Sequence, residues 1–197
     1  MVVEDYNKRI EEMRDPHVVY VTDLVVCSHK RQLRIQYPLL HFSFEPPLLL
    51  GLLVHRGLEA LLTSDEKWRA EYPIETTIRI KSEEYTIKGR IDLVRVDDKG
   101  NIVEIVEIKT AKTLPENAPL EHHVMQVKAY MKLTRAHKGL IVYITPDRVA
   151  EFEVEKADID IKRLLSETVY DLVHPRYGWE CKYCPYKKIC SYAVRTK

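Results

Sequence analysis

From Tyr72 to Thr110 apolar residues recur at about every second position, and the pattern is broken twice by turn signals. This period predicts strands at 72–80, 84–96 and 101–110, separated by Lys81-Ser82-Glu83 and Asp97-Asp98-Lys99-Gly100. Alternation then fixes which side chains travel together. On the third strand Val103, Ile105, Glu107 and Lys109 share one face, and Ile102, Glu104, Val106 and Ile108 the other. Glu107 and Lys109 therefore project together while Glu104 points away. On the second strand Asp92 shares its face with Val94 and Val96. A charge among apolar neighbours is costly unless it is paired or holds a metal. The plainer alternative is an edge-strand aspartate in water and a surface acid–lysine pair.

The rest of the chain surrounds these strands with helices. Helical spacing predicts helices over 2–14, from Thr22 or Asp23 to about Gln36, over 47–63 after Pro46-Pro47, over 117–137 and over 158–173. Further strands are expected at 139–145 and 148–154. Helices first, then a mostly antiparallel meander crossed by one helix, indicate an α/β domain with a mixed sheet. The chain has 197 residues, which suits a single domain. A net charge of +1 gives no global attraction for nucleic acid, so any such binding needs a local groove. No leader is visible in the charged segment Met1 to Arg14, and the apolar stretch Pro46 to Val54 is too short for a membrane span. A cytoplasmic location is expected.

Two carboxylates such as Asp92 and Glu107 hold a hard divalent cation through oxygen, and a nearby lysine supports attacking water and developing negative charge. His55 lies on an otherwise apolar helix, where a histidine is either a satisfied core residue or a ligand. Gln126 and Tyr130 are spaced to share one helix face, which simple core packing would also explain. Cys181, Cys184 and Cys190 cluster near one end of the chain, with Cys27 a distant fourth. In a reducing compartment four thiols are more often metal ligands than disulfides, and they suit either tetrahedral zinc or an iron–sulfur cluster. Lys30, Arg31, Arg34, Lys182, Lys187 and Lys188 would converge if these ends meet, with Tyr183 and Tyr186 available to stack on unpaired bases.

Gly51-x-x-x-His55, Gly89-Arg90-Ile91-Asp92, Glu107-Ile108-Lys109, Gln126-x-x-x-Tyr130 and the cysteines occur in an order that resembles the RecB-like branch of the PD-(D/E)xK nucleases. The ordered set is most similar to the CRISPR-associated iron–sulfur exonucleases of the Cas4 family. The resemblance runs from about Cys27 to Cys190. It implies a restriction-endonuclease-like fold: a helical N-terminal part at about 1–70, a nuclease core at about 71–155, and a C-terminal helix and cluster segment at about 156–197. It implies Mg²⁺ or Mn²⁺ held by His55, Asp92, Glu107 and the backbone carbonyl of Ile108. Lys109 is then the catalytic lysine, with Gln126 and Tyr130 lining the site. It also implies a [4Fe–4S] cluster on Cys27, Cys181, Cys184 and Cys190.

The activity expected from the resemblance is exonucleolytic cleavage of single-stranded DNA ends, chiefly 5′→3′. Its setting would be the trimming of DNA fragments for CRISPR spacer acquisition, beside the spacer integrase complex. Homo-oligomers are compatible with this setting. Two other readings stay open at this point. One is a RecB-like nuclease serving a DNA-repair helicase. The other is a zinc-stabilised module that binds nucleic acid without cleaving it.

Overall fold

The computed structural model describes residues 2–41, 46–62, 65–156 and 158–194. In chain order the elements are α1 (Val2–Arg14), β1 (Val18–Tyr20), α2 (Val21–Leu24), α3 (Ser28–Gln36), a 3-10 turn (Pro38–His41) and α4 (Pro46–Leu62). Next come β2 (Trp68–Ile80), β3 (Glu83–Val96), β4 (Ile102–Thr110), α5 (Glu121–Thr134), β5 (Lys138–Ile144) and β6 (Val149–Val154). The chain ends with α6 (Ile161–Val169) and α7 (Glu180–Tyr183). The six strands form one mixed sheet in the order β1-β3-β4-β5-β6, with β2 also paired to β3. The fold class expected from the sequence is therefore the one found. No helix among the described residues is long and apolar enough to cross a membrane.

Several predicted boundaries move. The second helix divides into α2 and α3, because the chain turns at Val25 to Cys27. Asp23 accepts the Tyr20 N–H at 2.9 Å, which fastens the start of α2. The predicted last residue of α4, Thr63, lies outside the described residues. The expected meander also contains parallel pairings. β3 and β4 are antiparallel, as are β5 and β6, but β4 and β5 run parallel. The reason is α5, since a helical crossover returns the chain to the same end of the sheet. β1 adds a second parallel pairing, Val18 against Thr86.

The chain forms two compact units. Unit 1 comprises Met1–Ser43, Glu75–Lys88 and Asp160–Lys197, and unit 2 comprises Phe44–Ile74 and Gly89–Ile159. In unit 1 Met13, Val19, Leu24, Ile87 and Leu165 are fully buried or nearly so. α6 starts where Asp160 accepts the Arg163 N–H at 2.9 Å, and it buries Ile161, Leu164, Leu165 and Thr168. In unit 2 one sheet face carries Leu93, Val106 and Ile108, packed with Leu58, Trp68, Leu140 and Val142. The opposite face meets α5. Gly139 on β5 permits this approach, because a Cβ there would lie 2.6 Å from Val127 Cγ1 and 2.7 Å from Met131 Sδ.

Candidate active site

Within unit 2, β3, β4, α4 and α5 bring five of the predicted residues into one connected set. Asp92 Oδ2 accepts the backbone N–H of Ile108 at 2.7 Å, which fixes the carboxylate across the β3–β4 pair. Its other oxygen lies 3.5 Å from His55 Nδ1. Lys109 Nζ donates to Glu107 Oε1 at 2.7 Å and to Gln126 Oε1 at 3.1 Å, while Gln126 Nε2 donates to Glu107 Oε1 at 2.9 Å. The amide thus holds the lysine and the carboxylate together. Tyr130, one turn further along α5, donates its hydroxyl to the Arg90 carbonyl at 3.1 Å.

The glycine of Gly-x-x-x-His has a steric reason. A Cβ at Gly51 would lie 2.9 Å from Thr110 Oγ1, so the close approach of α4 to the end of β4 is eased by the missing side chain at position 51. His55, one turn later, then reaches Asp92.

The electrostatics of this set turn on a buried carboxylate. Glu107 is 5% exposed at its side chain, and its Oε2 has no hydrogen-bond partner among the described residues. Burial holds the Glu107 carboxyl above the usual range; the Lys109 charge opposes this and the Asp92 charge adds to it. The hydrogen bond to Asp92 raises the His55 imidazole against the opposing effect of burial. Two carboxylates, one of them with an orphaned buried oxygen, and an imidazole are a donor set suited to a divalent metal. Among the described residues no three His, Cys, Asp or Glu side chains are already drawn close enough together to hold an ion.

Sequence reasoning passed over His122 and His123, in the first turn of α5. Leu120 N donates to Tyr143 Oη at 3.0 Å, and that hydroxyl lies 2.7 Å from His123 Nδ1. Burial, with the Lys109 charge, pushes His122 down to about 4 and His123 down to about 2. Both imidazoles are neutral at physiological pH. No sequence signal marked them, because Tyr143 is brought beside Lys109 by the β4–β5 pairing.

In unit 1 all four cysteines line one pocket, together with Lys30, Trp179, Tyr183 and Lys187. Glu180 closes the chain around it. One carboxylate oxygen accepts Cys27 N at 2.7 Å, and the other accepts Arg176 N at 2.7 Å and Tyr177 N at 2.8 Å. All four thiols are free of disulfides. Burial pushes the Cys27 thiol up to about 11 and also raises Cys184, so a bound cationic centre is what would favour their thiolates.

The expected basic surface is only partly present. Arg31 and Arg34 are buried: Arg31 donates to the carbonyls of Pro16 and Val18, and Arg34 pairs with Asp23 at 2.6 Å. They bind the chain to itself, although Arg31 Nε, Arg34 Nε and Arg34 Nη1 have no hydrogen-bond partner among the described residues. Tyr186 is also fully buried and unavailable for stacking, whereas Tyr183 is 70% exposed.

The profile of the PD-(D/E)XK nuclease superfamily matches residues 61–191. The CRISPR-associated exonuclease Cas4 of Saccharolobus solfataricus is 38% identical over 193 residues, covering 93% of this chain and 94% of that protein. The chain belongs to the Cas4 exonuclease family. Among solved structures, that of SSO0001 superposes with a TM-score of 0.84 at 35% identity, covering 98% of both chains. The alkaline exonuclease LHK-Exo, solved with dAMP, gives a TM-score of 0.53 at 14% identity over 82% of this chain and 88% of that one. At that distance the likeness concerns the fold alone. Asp92, Glu107, Lys109, Gln126 and Tyr130 lie within the segment that the nuclease-superfamily profile matches, and His55 precedes it.

Proposed function

We propose that this chain is a divalent-cation-dependent deoxyribonuclease acting at single-stranded ends. The observation that carries the reading is Glu107: a carboxylate at 5% side-chain exposure with one oxygen left without a partner among the described residues, near Asp92 and His55. Asp92, Glu107, His55 and the Ile108 carbonyl would hold Mg²⁺ or Mn²⁺. When bound, such a cation makes water a stronger nucleophile and offsets charge on the phosphate.

The chain's own groups do the rest. Asp92 is oriented by the Ile108 N–H, so its geometry is set before substrate arrives. Lys109 presents a positive charge next to Glu107, where it orients the attacking water and opposes the charge that builds on the phosphate oxygens. Gln126 keeps the lysine from swinging away, and Tyr130 ties α5 to the β3 backbone. Cys27, Cys181, Cys184 and Cys190 would hold a [4Fe–4S] cluster with a structural role, since hydrolysis needs no electron transfer.

The relative's description as a CRISPR-associated exonuclease supports a setting in the cytoplasm. There the enzyme trims captured DNA in the 5′→3′ sense before the integrase inserts it. The deciding experiment incubates anaerobically purified protein with end-labelled single strands, with and without Mn²⁺, and compares Glu107→Ala with Glu104→Ala. Cleavage should need the metal, vanish in Glu107→Ala and persist in Glu104→Ala. Metal-independent cleavage, or equal loss in two folded variants, overturns the reading.

A further inference from the structure

Two arginines beside the candidate metal site share one carboxylate. Arg90 Nη1 lies 2.6 Å from Glu71 Oε2, and Arg56 Nη2 lies 3.6 Å from the same oxygen. Both arginine side chains are 58% exposed, and Glu71 is 22% exposed. Glu71 belongs to β2 yet has φ 51, a left-handed conformation that residues other than glycine seldom adopt. A strand that departs from extended geometry at one non-glycine residue re-aims that side chain. Here it is aimed at two guanidiniums.

Their positions relate them to the reacting centre. Arg90 precedes Asp92 by two residues on β3, so the two share a face at a separation of about 6.6 Å along the strand. That step is comparable to the one between consecutive phosphates of a nucleic-acid strand. Arg56 directly follows His55 on α4. All of these residues lie in unit 2.

We propose that Arg56 and Arg90 form a subsite for the DNA phosphodiester next to the one cleaved, and that Glu71 fills it when DNA is absent. The proposal rests on the nuclease reading and adds a binding subsite to it. A carboxylate and a phosphodiester each present two oxygens sharing one negative charge, and a guanidinium fork accepts either. Exposed ion pairs are weak and screened by salt, so a strand of phosphates can displace Glu71. The displaced carboxylate stays close and opposes the DNA charge. Nucleic acid must therefore compete with the enzyme's own acid, which disfavours weakly held anions.

The test uses the full-length protein without added divalent cation and follows the anisotropy of a labelled single-stranded oligonucleotide across a KCl series. Arg56→Ala and Arg90→Ala should each weaken binding and flatten the salt dependence by about 0.7 in log–log slope, the value for one lost contact on a single strand. Glu71→Gln should tighten binding about 5-fold, as removal of a competing charge requires. Arg95→Ala is the charge control, because Arg95 pairs with Glu104 on the sheet face opposite Glu107 and should leave the slope unchanged. Arg90→Lys, which keeps charge but loses the fork, should preserve the slope and lower affinity, and it covers the case of an Arg90→Ala that fails to fold. Unchanged slopes in the folded arginine variants, or weaker binding by Glu71→Gln, overturn the subsite. If wild-type protein still cleaves DNA, the nuclease reading then stands. Wild-type protein that neither binds nor cleaves overturns both.

Discussion

A buried carboxylate with an unused oxygen costs folding free energy unless something positive meets it, and at Glu107 the Lys109 ammonium is in direct contact. The lysine's two hydrogen bonds, to Glu107 and Gln126, hold it in place before any substrate arrives. Lys109→Ala should accordingly lower the rate on bound DNA by about 10²–10³-fold while altering affinity little, because its charge acts where negative charge develops. Single-turnover kinetics beside equilibrium binding separate the two. Loss of affinity without loss of turnover on bound DNA would make Lys109 a simple phosphate anchor. Gln126→Ala leaves the lysine and acid present but unlinked, so the cleavage rate should fall by about 10–100-fold, as for other groups that orient a metal ligand. A variant with the wild-type rate would show that the amide only fills space. Glu104, by contrast, is engaged by Arg95 at 2.9 Å and Lys138 at 3.2 Å on the other face, so its removal affects stability rather than chemistry.

At the level of elements, packing tolerances give sharper expectations than charges do. Gly139→Ala would press a methyl into α5 and should destabilise the protein by about 1–3 kcal/mol in chemical denaturation. Gly57 on α4 has nothing within 4 Å of an added Cβ, so Gly57→Ala should stabilise by about 0.5–1 kcal/mol through helix propensity alone. The opposite signs check the placement of both helices. α1 is tied to β3 by charge: Glu12 accepts from Lys88 at 2.7 Å and from the Tyr20 hydroxyl at 2.6 Å. Burial pushes the Glu12 carboxyl up, but these bonds outweigh it and hold it below the ordinary 4.5. A depressed folded pKa contributes stability above the unfolded value and loses it as pH falls through the folded one. Glu12→Gln should therefore cost about 1 kcal/mol at pH 7, and the difference should shrink as pH falls below about 4.5. A deficit that persists undiminished at pH 3 would locate the effect in packing. The long strands and α4 were legible in the sequence because their periods run over many residues. β1 was not, since three residues between helices carry no period, and α7 was hidden for the same reason. The faces of Glu107 and Lys109 followed from alternation. The Glu107–Lys109–Gln126 linkage did not, because it depends on how α5 lies against the sheet, and the burial of Arg31 and Arg34 depends on partners far along the chain.

For the whole molecule, the decisive long-range contact is that of Cys27 with the C-terminal segment, where its N–H meets Glu180 across 153 positions in sequence. If the four thiols share a cluster, Cys27→Ser should reduce iron content and visible absorbance and lower the melting temperature, by analogy with losing a link that closes a long loop. Full iron content with unchanged melting would remove Cys27 from the site. The architecture of unit 1 carries a further consequence, one of order in time. Its three pieces come from the beginning, the middle and the end of the chain, whereas unit 2 is complete by Ile159. On the ribosome the nuclease-bearing unit has all its residues first, and the cysteine chamber cannot close until Cys190 has emerged. If a cluster binds there, its insertion has to wait for Cys190, and a chain that stalls earlier holds the residues around Glu107 while one wall of the cysteine pocket is still missing.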